Sequence, residues 1–154
     1  MTDAGGIIVH FDGLCEPVNP GGTATYGFVV QKEGQVLKEG WAFILEGREA
    51  TNNLAEYAGL CASLEWLLDN GYYDHKIEMK GDSREVISQM KGSWRARRGL
   101  YLPEYEKAKQ LRDRFSNITF SWVPRKENRD ADRFSRRAYE DYCIRMGREV
   151  TYHK

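Results

Sequence analysis

The hydrophobic pattern of this chain changes period once, after residue 50, and that change limits the folds open to it. Before it, the apolar run Ile7-Ile8-Val9-His10-Phe11 leads into Asp12 and reads as a first strand over 7–12. The stretches TYGFVVQ (25–31) and VLKEGWAFIL (36–45) read as two more, joined by the turn KEGQ. From Leu54 the period becomes helical, with Ala58, Cys61, Leu64 and Leu68 following at steps of 4, 3, 3 and 4. Thr51, Asn52 and Asn53 offer caps at the start of this helix, and Asn70-Gly71 ends it. A short strand (76–80), a short helix (82–92), a helix opened by Pro103 and reaching about Phe115, a last strand (118–123) and a helix from about Arg129 to Met146 complete the order β β β α β α α β α. Three meandering strands followed by alternating helices and strands predict an α/β fold, a mixed sheet with helices on its faces. Residues 1–146 are expected to form one domain, and 147–154 a loosely held C-terminal tail.

Charge narrows the function. Lys plus Arg and Asp plus Glu number 23 each, so formal net charge is zero and no global positive field recruits a polyanion. A nucleic-acid ligand would need a local patch. The segment MKGSWRARRGLY supplies one candidate, with Lys91, Arg95, Arg97 and Arg98 around Trp94. Cys15, Cys61 and Cys143 are widely spaced, with no CxxC pair, which fits inert thiols in a reducing cytoplasm. No signal-peptide pattern opens the chain, and no apolar run approaches the roughly 20 residues that span a bilayer. A cytoplasmic monomer without membrane contact is expected.

Four carboxylates stand out, and each has a structural explanation. Asp12-Gly13 suits a turn that ends a strand. Glu56, roughly 140° from the apolar stripe of its helix, suits a capping box with Asn53. Asp82 suits an N-cap completed by Glu85. Asp132 suits an i,i+4 pair with Arg136. Their joint placement has another explanation. Each is read at a strand end or a helix start, where α/β sheets place ligands. Hard divalent cations take oxygen ligands. Four converging carboxylates would repel one another unless cations neutralised them. Two ions about 4 Å apart suit phosphodiester cleavage. No Cys/His cluster with zinc spacing competes.

FDGLCEPVNPGG, TNNLAEYAGL, GDSREVISQMKG and VPRKENRDADRFSRRA resemble the successive motifs of the type 1 ribonuclease H family, in order and spacing, over roughly residues 7–145. The wording resembles the archaeal and bacterial branch without a basic-protrusion insert. This resemblance implies a ribonuclease H-like fold, a five-stranded mixed sheet of three antiparallel strands then two parallel ones, flanked by helices. It implies endonucleolytic cleavage of the RNA strand of RNA/DNA hybrids with two Mg²⁺ or Mn²⁺ ions. Asp12, Glu56, Asp82 and Asp132 match the family's catalytic metal ligands, with Asp12 bridging both ions. Thr51 matches a contact to a DNA phosphate, Asn52 and Asn53 contacts in the minor groove, and Asn19 a residue near the RNA strand. Trp94 and Arg95 are expected to grip the sugar-phosphate backbone.

The chain departs from the pattern in two places. The loop VPRKENRD carries Arg125 and Lys126 where many relatives have a histidine. Arginine cannot shuttle a proton near neutrality, so Arg125 or Lys126 is expected to hold a phosphate by charge. Arg84 replaces a common Gln, so its substrate contact carries over loosely. His10 shares a face with Asp12 and reads as a packed strand histidine or a support for the site. Only about six residues precede the first strand, so no second hybrid-binding domain is expected there, and processivity should be low. Double-stranded RNA as substrate, and a non-catalytic nucleic-acid-binding module, are the competing functions.

Overall fold

The first strand, β1 (Ile7–Glu16), continues four residues past the expected end at Asp12. Asp12-Gly13 is therefore not a turn: Asp12 pairs with Gly27 and Gly13 with Tyr26 of the antiparallel neighbour β2 (Thr23–Lys32). A tight turn at Glu33-Gly34 leads into β3 (Gln35–Glu46). Strands β4 (Lys76–Gly81) and β5 (Asn117–Trp122) extend the sheet in parallel on the other side, giving the order β3-β2-β1-β4-β5. The expected mixed sheet of three antiparallel and two parallel strands is present. This computed structural model describes residues 6–96 and 99–153.

The helices α1 (Asn52–Asp69) and α2 (Arg84–Lys91) bury one face of the sheet, and α3 (Leu102–Arg112) packs against α1. Ile7, Val9 and Phe11, alternate residues of β1, meet Leu54, Tyr57, Leu60 and Leu64 of α1 in the main core. On the opposite face lies α4 (Arg129–Arg145), which packs Tyr139 and Cys143 against Leu14 of β1. All three cysteines are buried and unpaired. Among the described residues, no helix is long and apolar enough to cross a membrane.

Helix α1 buries a wider arc than its large apolar residues mark. Ala55, Glu56, Gly59 and Ser63 are buried too, while Ala58 and Leu68 are only half-buried. Small residues let the helix approach the sheet backbone closely. A Cβ on Gly13 would lie 2.3 Å from the carbonyl carbon of Ala55 and the nitrogen of Glu56. Gly27 admits α4 in the same way, since a Cβ there would lie 2.5 Å from the Ala131 oxygen.

The segment after α4 is docked rather than loose. Tyr139 Oη donates to the Thr151 carbonyl at 2.6 Å, Arg148 pairs with Glu46, and Val150 and Tyr152 pack on Leu14, Tyr139 and Cys143. Its partners Glu46 and Leu14 lie about a hundred or more residues away in sequence, so no local pattern announces the docking.

Candidate active site

Parallel pairing of β1 with β4 ends at His10 and Lys80. Beyond that point the two strands part, and the gap between them opens onto a cavity of about 580 Å³. Asp12 enters it from β1, Glu56 from α1, Asp82 from the end of β4, and Asp132 from the first turns of α4. Ligating oxygens of Asp12, Glu56 and Asp82 lie within 4.8 Å of one another. Asp132 lines the same cavity, but its Oδ2 accepts from Arg136 Nε at 2.9 Å. The expected i,i+4 pair therefore exists, and it sits at the mouth of the carboxylate cluster.

The capping explanations for Glu56 and Asp82 do not hold. Thr51 caps α1, its Oγ1 accepting from Leu54 N at 3.1 Å, while Asn53 Nδ2 donates across to Glu85 Oε1 at 2.9 Å. Ser83 caps α2, its Oγ accepting from Val86 N at 3.2 Å. Asp82 and Glu56 are thus free of capping duty. Glu56 is 2% exposed, and its Oε1 has no hydrogen-bond partner. An unpartnered buried carboxylate oxygen is costly unless something absent from the protein itself satisfies it.

Electrostatics carry the same message. Burial, and then the neighbouring Glu56 and Asp82, push the Asp12 carboxyl well above the usual range. Burial pushes Glu56 up to about 8, with Asp82 adding repulsion and contact with Asp12 opposing it. Burial also raises Asp82, against the Asn128 hydrogen bond and the Arg125 charge, which lower it. Crowded carboxylates that resist ionisation together are those a divalent cation would stabilise. The donor set is all oxygen, which suits Mg²⁺ or Mn²⁺ and not a thiolate-seeking metal.

Two supports escaped the sequence reading. Asn128 is 1% exposed and ties the site together: its Nδ2 donates to the Phe11 carbonyl at 2.9 Å and to Asp82 Oδ2 at 3.2 Å. Its own Oδ1 is a second buried oxygen without a partner. Trp122 Nε1 donates to the Asp82 carbonyl at 3.1 Å. The Asn immediately before α4 was the available signal for Asn128, but it reads there as an ordinary helix cap, a role its side chain does not take.

The remaining candidates fall in four places. Asn19 and Asn52 line the carboxylate cavity, and Asn19 Oδ1 accepts from the backbone N–H of Asn52 at 3.0 Å. Arg125 lines it as well. Thr51, Asn53, Trp94 and Arg95 line a second, neighbouring cavity of about 580 Å³ at the start of α1. Trp94 is 52% exposed there, and Arg97 and Arg98 lie outside the described residues. Arg84 stacks on Trp122, with its guanidinium carbon 3.8 Å from the ring centre. Lys126 stands apart, in a smaller cavity with His10 and Asp130. His10 is half-buried and lines that cavity rather than the carboxylate one, and burial and the nearby Lys80 lower its pKa.

A model of the reverse transcriptase-like family matches residues 10–138. The chain is 36% identical over 142 residues to ribonuclease HI of Halobacterium salinarum, covering 92% of this chain and 68% of that protein. It is 40% identical over 136 residues to the bifunctional protein Rv2228c of Mycobacterium tuberculosis, spanning 87% of this chain but only 35% of that longer protein. Among solved structures, it superposes with a TM-score of 0.81 on the N-terminal ribonuclease H domain of that mycobacterial protein, at 32% identity, covering 91% of this chain and 97% of the other. With LC11-RNase H1 in complex with an RNA/DNA hybrid the TM-score is 0.79, at 30% identity, covering 88% and 98%.

Proposed function

The chain belongs to the type 1 ribonuclease H family, and on that premise we propose that it is a metal-dependent endoribonuclease that hydrolyses the RNA strand of RNA/DNA hybrids. The observation that carries this is the convergence of Asp12, Glu56 and Asp82 within 4.8 Å, with a buried Glu56 oxygen left unpartnered. Two divalent ions, Mg²⁺ or Mn²⁺, are the proposed cofactors, held by these three residues and by Asp132. When bound, such ions activate the attacking water and neutralise the leaving oxygen.

The chain's own residues supply position and charge. Gly13 lets α1 press on β1 and so sets Glu56 against Asp12. Asn128 fixes the Asp82 carboxylate, and Trp122 fixes the backbone behind it. Arg125, a permanent cation beside Asp82, attracts the phosphate to be cut. Thr51, Asn53, Trp94 and Arg95 form the grip on the DNA strand, a local patch on a net-neutral protein. Asn19 and Asn52 face the carboxylate cavity and take the RNA side. Arg84, held on Trp122, flanks the same path. Lys126, on the far side of the loop, contributes only long-range charge. RNA is told from DNA by its 2′-hydroxyl and by duplex shape. Unpaired buried thiols fit a reducing cytoplasm.

An end-labelled hybrid of 20–30 base pairs is the substrate for the test, beside matching RNA/RNA and DNA/DNA duplexes. Each is incubated with Mg²⁺, Mn²⁺ or EDTA. RNA-strand cuts in the hybrid alone, lost with EDTA and with Asp12→Asn, are expected. Equal cutting of RNA/RNA would widen the substrate to duplex RNA. Binding without cutting in either metal would make the protein a binding module.

A further inference from the structure

We propose that the segment following α4 forms one wall of the active-site cleft, with Tyr152 a positioning residue that acts on Asp132 through Arg136. The carboxylate cavity is lined in part by Tyr152 and His153. Their placement is fixed at both ends. His153 lays its backbone N–H and its Nδ1 on the same oxygen, Glu16 Oε1, each at 2.7 Å. Tyr152 Oη donates to Glu140 Oε2 at 2.9 Å, one turn along α4 from Arg136. The segment thus bridges the cleft from the end of β1 to α4.

Between these anchors the Tyr152 ring closes on Arg136, with the guanidinium carbon 4.9 Å from the ring centre. Arg136 in turn donates from Nε to Asp132 Oδ2 at 2.9 Å. Asp132 needs such help. It stands outside the close cluster of the other three carboxylates. Its side chain is 25% exposed and that of Arg136 41%. An exposed i,i+4 ion pair on a helix fixes geometry weakly by itself, because both side chains keep many rotamers. A ring packed on the guanidinium removes most of those rotamers. Arg136 is then held on one side by Asp132 and on the other by Tyr152, and Asp132 is aimed at the cleft instead of wandering over the surface.

This rests on the hydrolase reading above, because it assigns Asp132 a role in the reaction. Tyr152→Phe keeps the ring, Tyr152→Leu keeps the apolar packing on Leu14 without it, and a chain ending at Glu149 removes the wall. For each, kcat and KM on the hybrid are measured with Mg²⁺, and Mn²⁺ affinity is measured by calorimetry without substrate. Tyr152→Leu is expected to lower kcat about two- to fivefold, the size of one cation–π contact. KM should stay unchanged, Mn²⁺ affinity should fall by a similar factor, and Tyr152→Phe should restore both. Unchanged kcat and Mn²⁺ affinity in Tyr152→Leu, with only a lower Tm, would make the segment a structural strap and overturn the proposal. So would a raised KM with unchanged kcat. If the shortened chain fails to fold, the Leu and Phe variants still decide. If the wild-type protein cuts no hybrid, the hydrolase reading fails, while the Mn²⁺ affinity ratio still tests the link from Tyr152 to Asp132.

Discussion

Replacing Glu56 by Gln should make the metal-free protein more stable at alkaline pH while ending cleavage. Glu56 is buried, has one oxygen without a partner, and carries a pKa raised from 4.5 to about 8. A carboxyl whose folded-state pKa is raised contributes stability that is complete below the unfolded value. That stability is lost as pH climbs through the folded value. The window here runs from 4.5 to about 8. Each pH unit inside it costs about 1.4 kcal/mol. Moving from about pH 5.5 to about pH 9 should therefore remove roughly 3 kcal/mol through Glu56 alone. For a chain of this size that is a fall in Tm of roughly 6–12 °C. The Gln amide stays neutral throughout, so the variant keeps only the fall due to Asp12 and Asp82, whose carboxyls are also raised by burial. Thermal unfolding in EDTA at several pH values, wild type beside Glu56→Gln, measures the difference directly. Mg²⁺ should return the lost stability to the wild type at high pH and do less for the variant. If both proteins lose the same Tm across the window, or the wild type gains stability with pH, the account of a cation-seeking carboxylate cluster is wrong.

Other perturbations separate the parts of the site. Thr51→Ala removes the cap on α1, so denaturant unfolding should report a loss of about 1 kcal/mol; a gel-shift assay should show weaker hybrid binding, and Thr51→Ser should recover both. Gly13→Ala forces a methyl into the backbone of Ala55 and Glu56, costing about 1–3 kcal/mol or more. Steady-state kinetics should show kcat falling further than KM rises, and an intact kcat would separate the carboxylate spacing from this contact. The pH–rate profile should lack a limb near the histidine pKa of about 6.5, and Arg125→Ala should lower kcat without adding one. A clear limb that disappears in Arg125→Ala but persists in His10→Ala would count against an electrostatic role for Arg125.

Element order and sheet type were legible because each rests on local periodicity and on Gly, Pro and Asn punctuation. Element lengths were less so. Asp12-Gly13 has the composition of a turn, yet Gly13 continues β1 because only a residue without a side chain fits beneath α1. Glu56 looks exposed when only large apolar residues define the helix face. It is buried because Ala55 and Gly59, which carry little hydrophobic signal, bring that side of α1 closest to the sheet. Asp82 and Ser83 are equally plausible caps in sequence, and the structure gives the duty to Ser83, leaving the carboxylate for the cleft. Asn128, Trp122 and Tyr152 were illegible because their partners Phe11, Asp82 and Arg136 reach them only through the fold. Lys126 was grouped with Arg125 by adjacency, but a single helical turn between β5 and α4 sends the two side chains into different cavities.

The close approach at Gly13 has a bearing on ionic radius. Asp12 and Glu56 sit on two elements whose backbones are in close contact at Gly13, so the attachment points of those two carboxylates are held at a fixed spacing. Asp82 and Asp132 are held by side-chain contacts, from Asn128 and Arg136, and those can lengthen. Mg²⁺ takes oxygens at about 2.0–2.1 Å and Ca²⁺ at about 2.3–2.6 Å. Of the four carboxylates proposed to hold the ions, two would thus act as a fixed gauge and two as a compliant one. On the proposed ligand set, a larger ion would be admitted by displacing the compliant pair, so Asn128 and Arg136 would set the tolerance for ions of different size.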